Sequence, residues 1–255
     1  MLLSNLYYHG DDVKLRLMFG RVKDVRISDE LRGWFIHGYG SVRPSDITSL
    51  CPTKRDVWLL RHGARMDSNG AIGKGVSYHS EVLRVMSEAV RNGWEGIGRA
   101  LDYVRTHAGM WALALATAWL SNGGVPPIAI EPRLPPAAGF TSSRPDMVVG
   151  NSPVEVAYVN GNNRYVELKR IELAAYSLIL EALTTIPVDI AYLIVITDRG
   201  VTIEDVVVDD TLRSEALTVR DAIAEIISSK SPPPLPGSCP QSCPLRRYCL
   251  GDDNG

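Results

Sequence analysis

The stretch Arg144-Pro145-Asp146-Met147-Val148-Val149-Gly150-Asn151-Ser152-Pro153-Val154-Glu155-Val156-Ala157-Tyr158-Val159 decides how the chain is read. Two short runs of valine-rich, β-prone residues flank the turn-forming Gly150-Asn151-Ser152-Pro153, which predicts a hairpin. With the turn centred between Asn151 and Ser152, Asp146 is expected opposite Ala157. Side chains alternate along a strand, so Asp146, Glu155 and Ala157 share one face. Two carboxylates on adjacent strands suit a divalent cation with oxygen ligands. The alternative is a solvated hairpin carrying two ordinary acids.

Outward from this hairpin the pattern is mixed. Ile128 to Glu131 reads as a strand before it. The helix expected after it runs from Leu168 to about Thr184. Ile190 to Ile196 reads as a buried strand, Gly200 to Val208 as its hairpin partner, and Arg213 to Ser229 as an amphipathic helix. Upstream, Ser45 or Asp46 caps a helix expected from Ile47, which carries Cys51 at its start. Further helices are expected from Ser77 to Arg91, Gly96 to His107 and Ala108 to Leu120, closed by Gly123-Gly124-Val125-Pro126-Pro127. Helices followed by strands, helix, strands and helix give an α/β core with a helical insertion before it. Four segments follow: an N-terminal appendage over 1–45, a helical region over 46–124, the strand-rich core over 125–230 and a cysteine tail over 231–255.

Composition narrows the function classes. The chain has 255 residues, 45% of them hydrophobic, enough for a large core. The net charge of −2 advertises no global nucleic-acid field but leaves room for a local basic groove. Lys54, Arg55, Arg61, Arg65, Arg246 and Arg247 are candidates for such a rim, and ordinary surface charge is the plainer reading. The apolar run from Trp111 to Leu120 is too short to span a bilayer, which needs about 20 residues. No membrane partner is expected. With no signal-peptide pattern at the start, the expected compartment is the cytoplasm.

Cysteine usage points to a second site. Three of the four cysteines, Cys239, Cys243 and Cys249, lie in the tail, and Cys51 is far upstream. A distant fourth thiolate would close a tetrahedral metal or iron–sulfur site and pin the tail near Cys51. Disulfides are the competing reading, and the expected compartment argues against them. His79 lies four residues after Gly75 at the start of an amphipathic helix. There it is either a packed or capping ring or a metal ligand facing the Asp146/Glu155 hairpin. A His-Asp-Glu site with open water positions is the chemistry of metal-dependent phosphodiester hydrolysis.

These residues, in this order, resemble a known family. Cys51, the Gly75…His79 spacing, Pro145-Asp146, Glu155, Leu173-Ala174-Ala175-Tyr176 and the Cys-x3-Cys-x5-Cys tail are similar to the CRISPR-associated RecB-like exonucleases, PD-(D/E)xK nucleases with an iron–sulfur module. Glu30-Leu31-Arg32-Gly33-Trp34 and Cys51 to Val57 resemble the archaeal type I-A branch. The resemblance implies a restriction-endonuclease-like mixed sheet flanked by helices, with an iron–sulfur module joining N- and C-terminal segments. It implies Mn²⁺ or Mg²⁺ on His79, Asp146, Glu155 and the Val156 carbonyl. It implies a cluster on the four cysteines, [4Fe–4S] ahead of [2Fe–2S]; zinc would satisfy the same ligands. Tyr176 falls on the tyrosine of the family's Gln-x-x-x-Tyr motif, and Glu172 stands where that motif has glutamine.

The implied activity is trimming of single-stranded DNA, or DNA with single-stranded ends, for spacer acquisition beside the CRISPR adaptation integrase and its associated proteins. Two features depart from the pattern: Glu172 in place of glutamine, which puts a negative charge near a phosphate path unless it turns to the metal, and the position of the lysine. The lysine of the family's Glu-x-Lys aligns on Ala157. Glu167-Leu168-Lys169 repeats the string downstream, and Lys169 is either a migrated lysine reaching in from the helix start or a solvated helix-end charge. Ala157 keeps open a weakly active DNA-binding or scaffold subunit. A RecB-like repair nuclease outside CRISPR fits the same motifs. A redox iron–sulfur protein would use the cysteines and leave His79, Asp146 and Glu155 without a role.

Overall fold

In the computed structural model, the described residues are 42–66, 73, 75–80, 82–84, 87, 129–159, 161, 163–239 and 243–250. Most of the expected N-terminal appendage, the helices expected over 96–120 and the Trp34 motif lie outside them.

The core is a five-stranded mixed sheet in the order β1-β2-β3-β4-β5. Its strands are β1 (Ala129–Ile130), β2 (Met147–Val149), β3 (Ser152–Tyr158), β4 (Ile190–Thr197) and β5 (Gly200–Val207). β3 and β4 are parallel, and the other neighbours are antiparallel. Parallel strands need a crossover, and the helix α2 (Asn163–Thr184) provides it. The remaining helices are α1 (Arg55–Arg61), α3 (Asp210–Ser228) and the short α4 (Arg246–Leu250) in the tail. Residues 75–80 and 82–84 are also helical. No helix among the described residues is long and apolar enough to cross a membrane.

The strand faces sort the core into two layers. Val148, Ala157, Leu193 and Val206 point to the side covered by α2 and α3. Met147, Val154, Val156, Ile194 and Ile196 point to the other side, where Val82 and Leu83 pack. α3 starts where the Asp209 carboxylate accepts from the Leu212 amide at 2.8 Å, an N-cap. Leu212, Ala216, Val219, Ile223 and Ile227 repeat at three- and four-residue steps and face α2.

The β2–β3 hairpin is tighter than expected. Met147 pairs with Val154 and Val149 with Ser152, so the loop is only Gly150-Asn151. Gly150 adopts φ 61 at the first central position, the conformation a two-residue turn of this kind asks of glycine. The register therefore places Asp146 across from Glu155, not Ala157. This correction is a shift of two residues, and an even shift preserves the face. Asp146 and Glu155 remain on the α2 side.

Three helix boundaries also change, and the helix expected from Arg213 begins at Asp210. α2 begins at Asn163, so Glu167 to Lys169 lie inside the helix and not at its start. No helix starts at Ile47: a single 3-10 turn, Pro44–Asp46, precedes a loop that carries Cys51, and α1 begins only at Arg55. Lys54 stands before it at φ 54 and donates its ammonium to the Ile47 and Ser49 carbonyls, which closes that loop.

Candidate active site

Asp146 directly precedes β2, Glu155 sits at the middle of β3, and α2 lies over both. On that helix Lys169, Glu172 and Tyr176 fall at i, i+3 and i+7, one stripe facing the sheet. All three are buried. Lys169 Nζ donates to Glu155 Oε2 at 2.7 Å. It also stands 2.7 Å from Glu172 Oε2, an ion pair by distance. Lys169 is thus no solvated helix-end charge.

Asp146 is held from three sides. Its Oδ2 accepts from the Val156 amide at 2.7 Å, and its own amide donates to Glu155 Oε1 at 3.2 Å. His79 Nε2 lies 2.6 Å from Asp146 Oδ1, although its helical stretch packs on the other face of the sheet. The strand end is where a side chain from that face can come round to the carboxylate. Tyr176 donates its hydroxyl to the Arg144 carbonyl at 2.9 Å, which ties α2 to the start of β2.

The electrostatics are lopsided. Burial pushes the Glu155 carboxyl well above the usual carboxylate range, and Asp146 and Glu172 add to it. Burial also raises Glu172, against the pull of Lys169. For Lys169 burial acts downward, but Glu155 and Glu172 outweigh it and hold the ammonium well above its ordinary value. The hydrogen bond to Asp146 raises His79. Burial raises the Tyr176 phenol. Three carboxylates therefore surround one ammonium. This surplus of buried negative charge, with oxygen-rich donors and one imidazole, fits a hard divalent cation. Among the described residues no three such side chains are already converged in a coordination geometry.

A cleft of about 930 Å³ opens over Asp146, Glu155, Lys169, Glu172 and Tyr176. Its rim carries Arg43, Arg61, Arg133 and Arg144. Only Arg61 belongs to the cations expected around Cys51, and it is paired to Asp46. Arg55 reaches the Pro233 carbonyl, Arg246 the Cys239 carbonyl, and Arg247 lies over the Tyr248 ring. Sequence reasoning missed Arg43, Arg133 and Ser143. The signal in the sequence was the loop 131–145, whose Pro135-Pro136 and Gly139 mark a second hairpin beside the Pro145-Asp146 dipeptide.

None of the four cysteines lines the cleft. All four are free and half-buried. Burial raises the Cys239 thiol, and its hydrogen bond with Cys243 and the nearness of Cys249 act the same way. Cys51 turns its sulfur to Thr53 Oγ1, 3.6 Å away. The tail nevertheless runs along α1. Trp58 donates to the Ser229 carbonyl at 3.1 Å, and the Arg65 amide to the Tyr248 hydroxyl at 3.2 Å. Four free thiols are a donor set suited to a soft metal centre, although among the described residues no three of them are already gathered as a metal site.

The chain was also compared with known proteins. Residues 114–252, more than half of the chain, match the family model described as CRISPR-associated exonuclease Csa1. A relative from Saccharolobus solfataricus, named CRISPR-associated exonuclease Csa1, is 28% identical over 115 residues, which is 44% of this chain and 39% of the relative. The matched part thus spans about two fifths of the curated relative's length.

Proposed function

The chain belongs to the Csa1 family of CRISPR-associated exonucleases, and we propose that it is a metal-dependent deoxyribonuclease that trims single-stranded DNA ends for spacer acquisition. The observation that carries this reading is the 2.7 Å contact of Lys169 Nζ with Glu155 Oε2 on the floor of a cleft that also holds Asp146. His79, Asp146, Glu155 and the Val156 carbonyl would hold Mn²⁺ or Mg²⁺. When bound, such a cation supplies a nucleophilic water at neutral pH and charge neutralisation at the phosphate.

This chain's own residues do the rest. Lys169 presents a fixed ammonium to the cleft, where it stabilises charge developing on the phosphate oxygens. Glu172 holds that ammonium from the same helix. Tyr176 fixes the Arg144-Pro145-Asp146 backbone through the Arg144 carbonyl. The four cysteines Cys51, Cys239, Cys243 and Cys249 would carry an iron–sulfur cluster, [4Fe–4S] by preference, as a structural clasp between the tail and the segment before α1. Cytoplasmic action beside the CRISPR integrase is part of the same proposal.

Ala157 motivates the second reading, a DNA-binding or scaffold subunit without vigorous catalysis. It is 1% exposed and packed in the core, so the strand position offers no lysine. The burial of Lys169 against Glu155 favours the enzyme, since an ammonium reaches the carboxylate by another route. End-labelled single-stranded DNA incubated with Mn²⁺ separates the two. The wild-type chain is expected to shorten the label from an end and Asp146→Ala is not. Equal product from both would remove the nuclease reading.

A further inference from the structure

The rim of the cleft is built, and the carboxylate chemistry does not use it. Residues 133–144 form a hairpin closed by the bridges Leu134–Ser143 and Ala137–Phe140. The Thr141 amide donates to the Val42 carbonyl at 2.9 Å, which sets Arg43 beside this hairpin. From α3, Arg220 donates to the Ala138 carbonyl at 2.7 Å, and Phe140 is fully buried beneath. The Tyr176 hydroxyl fixes the Arg144 backbone.

On this rigid wall Arg43, Arg133 and Arg144 are exposed and line the cleft. None of the three makes an ion pair among the described residues, whereas Arg61 is neutralised by Asp46. Ser143 lines the same cleft at 7% exposure, and its hydroxyl has no hydrogen-bond partner. A buried hydroxyl without a partner is rare in a folded chain and signals a missing group. Guanidinium forks without an ion-pair partner, Arg133 held only by a 3.5 Å bond from its Nε to Ser142 Oγ, beside a free hydroxyl donor match the oxygens of a phosphate.

We propose that Arg43, Arg133, Arg144 and the Ser143 hydroxyl form a phosphate subsite that positions a nucleic-acid strand beside the Asp146 and Glu155 carboxylates. The subsite rests on the reading of the cleft as a nuclease centre. These are positioning residues, since they hold the strand and do not act on the scissile bond. The phosphate is either a backbone diester or a terminal monoester, and binding separates the two.

The test is fluorescence anisotropy of the full chain with a labelled 12-nucleotide single-stranded DNA, in Ca²⁺ to prevent turnover. Arg133→Gln and Arg144→Gln are each expected to weaken binding about tenfold. Each should also flatten the slope of log K against log salt by about 0.7, one phosphate contact on a single strand. Ser143→Ala should weaken binding roughly threefold, as loss of one neutral donor. Arg199→Gln, on the exposed β4–β5 turn, serves as the control and should bind like wild type.

Equal losses on 5′-phosphorylated, 3′-phosphorylated and unphosphorylated strands identify a backbone phosphate. Losses confined to one phosphorylated end identify a terminal one. Arginine variants that bind within twofold of wild type with an unchanged slope would overturn the subsite, as would a wild-type chain that fails to bind. Because no cleavage is read, wild-type protein that binds as described but never shortens DNA in Mn²⁺ would remove the nuclease reading and leave the subsite standing.

Discussion

An ammonium set between two buried carboxylates stays charged, and taking it away strands both. Lys169→Met leaves Glu155 and Glu172 facing each other at 3% and 1% exposure. Stripping one partner from a buried pair costs several kcal/mol; here the carboxyls can take up protons, so the expected loss is about 3 kcal/mol in urea unfolding. Glu172→Gln keeps an acceptor beside Lys169 and should cost about 1 kcal/mol. The double variant should be less destabilised than the sum of the two, by roughly 1–2 kcal/mol. Additive losses would mean that Lys169 and Glu172 do not act as a pair. Cleavage separates their roles: Lys169→Met should lower kcat about a hundredfold with little change in KM, because its ammonium acts on charge that develops only in the transition state.

Elements place these residues, and the hairpin over 133–144 is the one most open to test. Gly139 adopts φ 76, and a Cβ there would meet Arg220 Nη1 at 2.7 Å and Cζ at 3.1 Å. Gly139→Ala is expected to cost about 1–2 kcal/mol from the left-handed backbone, plus the loss of the Arg220 brace. A thermal melt with no shift would show that the brace carries no weight. The strands and helices were largely legible because they follow the periods of 2 and 3.6 that burial imposes. The hairpin register was not, since Gly150-Asn151 and Asn151-Ser152 both suit a turn centre and differ only in which residue takes the left-handed conformation. The same even shift that hid the Asp146–Glu155 pairing left their shared face intact. Lys169 could not be placed from sequence, because it depends on the start of α2 at Asn163, six residues before it. Arg43 was invisible as a cleft residue, since only the Thr141–Val42 hydrogen bond brings it there.

At the scale of the molecule the proposed reading uses two separate places. The cleft lies between the sheet and α2, while three thiols lie on the tail that follows α3 and Cys51 lies in the loop before α1. Trp58 and Arg55 of α1, with Arg65 just after it, fasten the end of α3 and the tail, so on the proposed reading a cluster on the cysteines would brace the fold and stay out of the cleft chemistry. Cys249→Ser is therefore expected to lower iron per chain and the melting temperature together, with the cleavage pattern of the surviving folded protein unchanged. Retained iron, or a fully stable iron-free variant, would count against the clasp. The measurement that reaches the central claim most directly is the anomalous scattering of Mn²⁺ soaked into crystals of the protein. The predicted result is one peak bounded by His79, Asp146 and Glu155, with Lys169 beside Glu155. A peak at Glu167, which is 62% exposed and paired to Arg170, with none at Asp146, would contradict that claim.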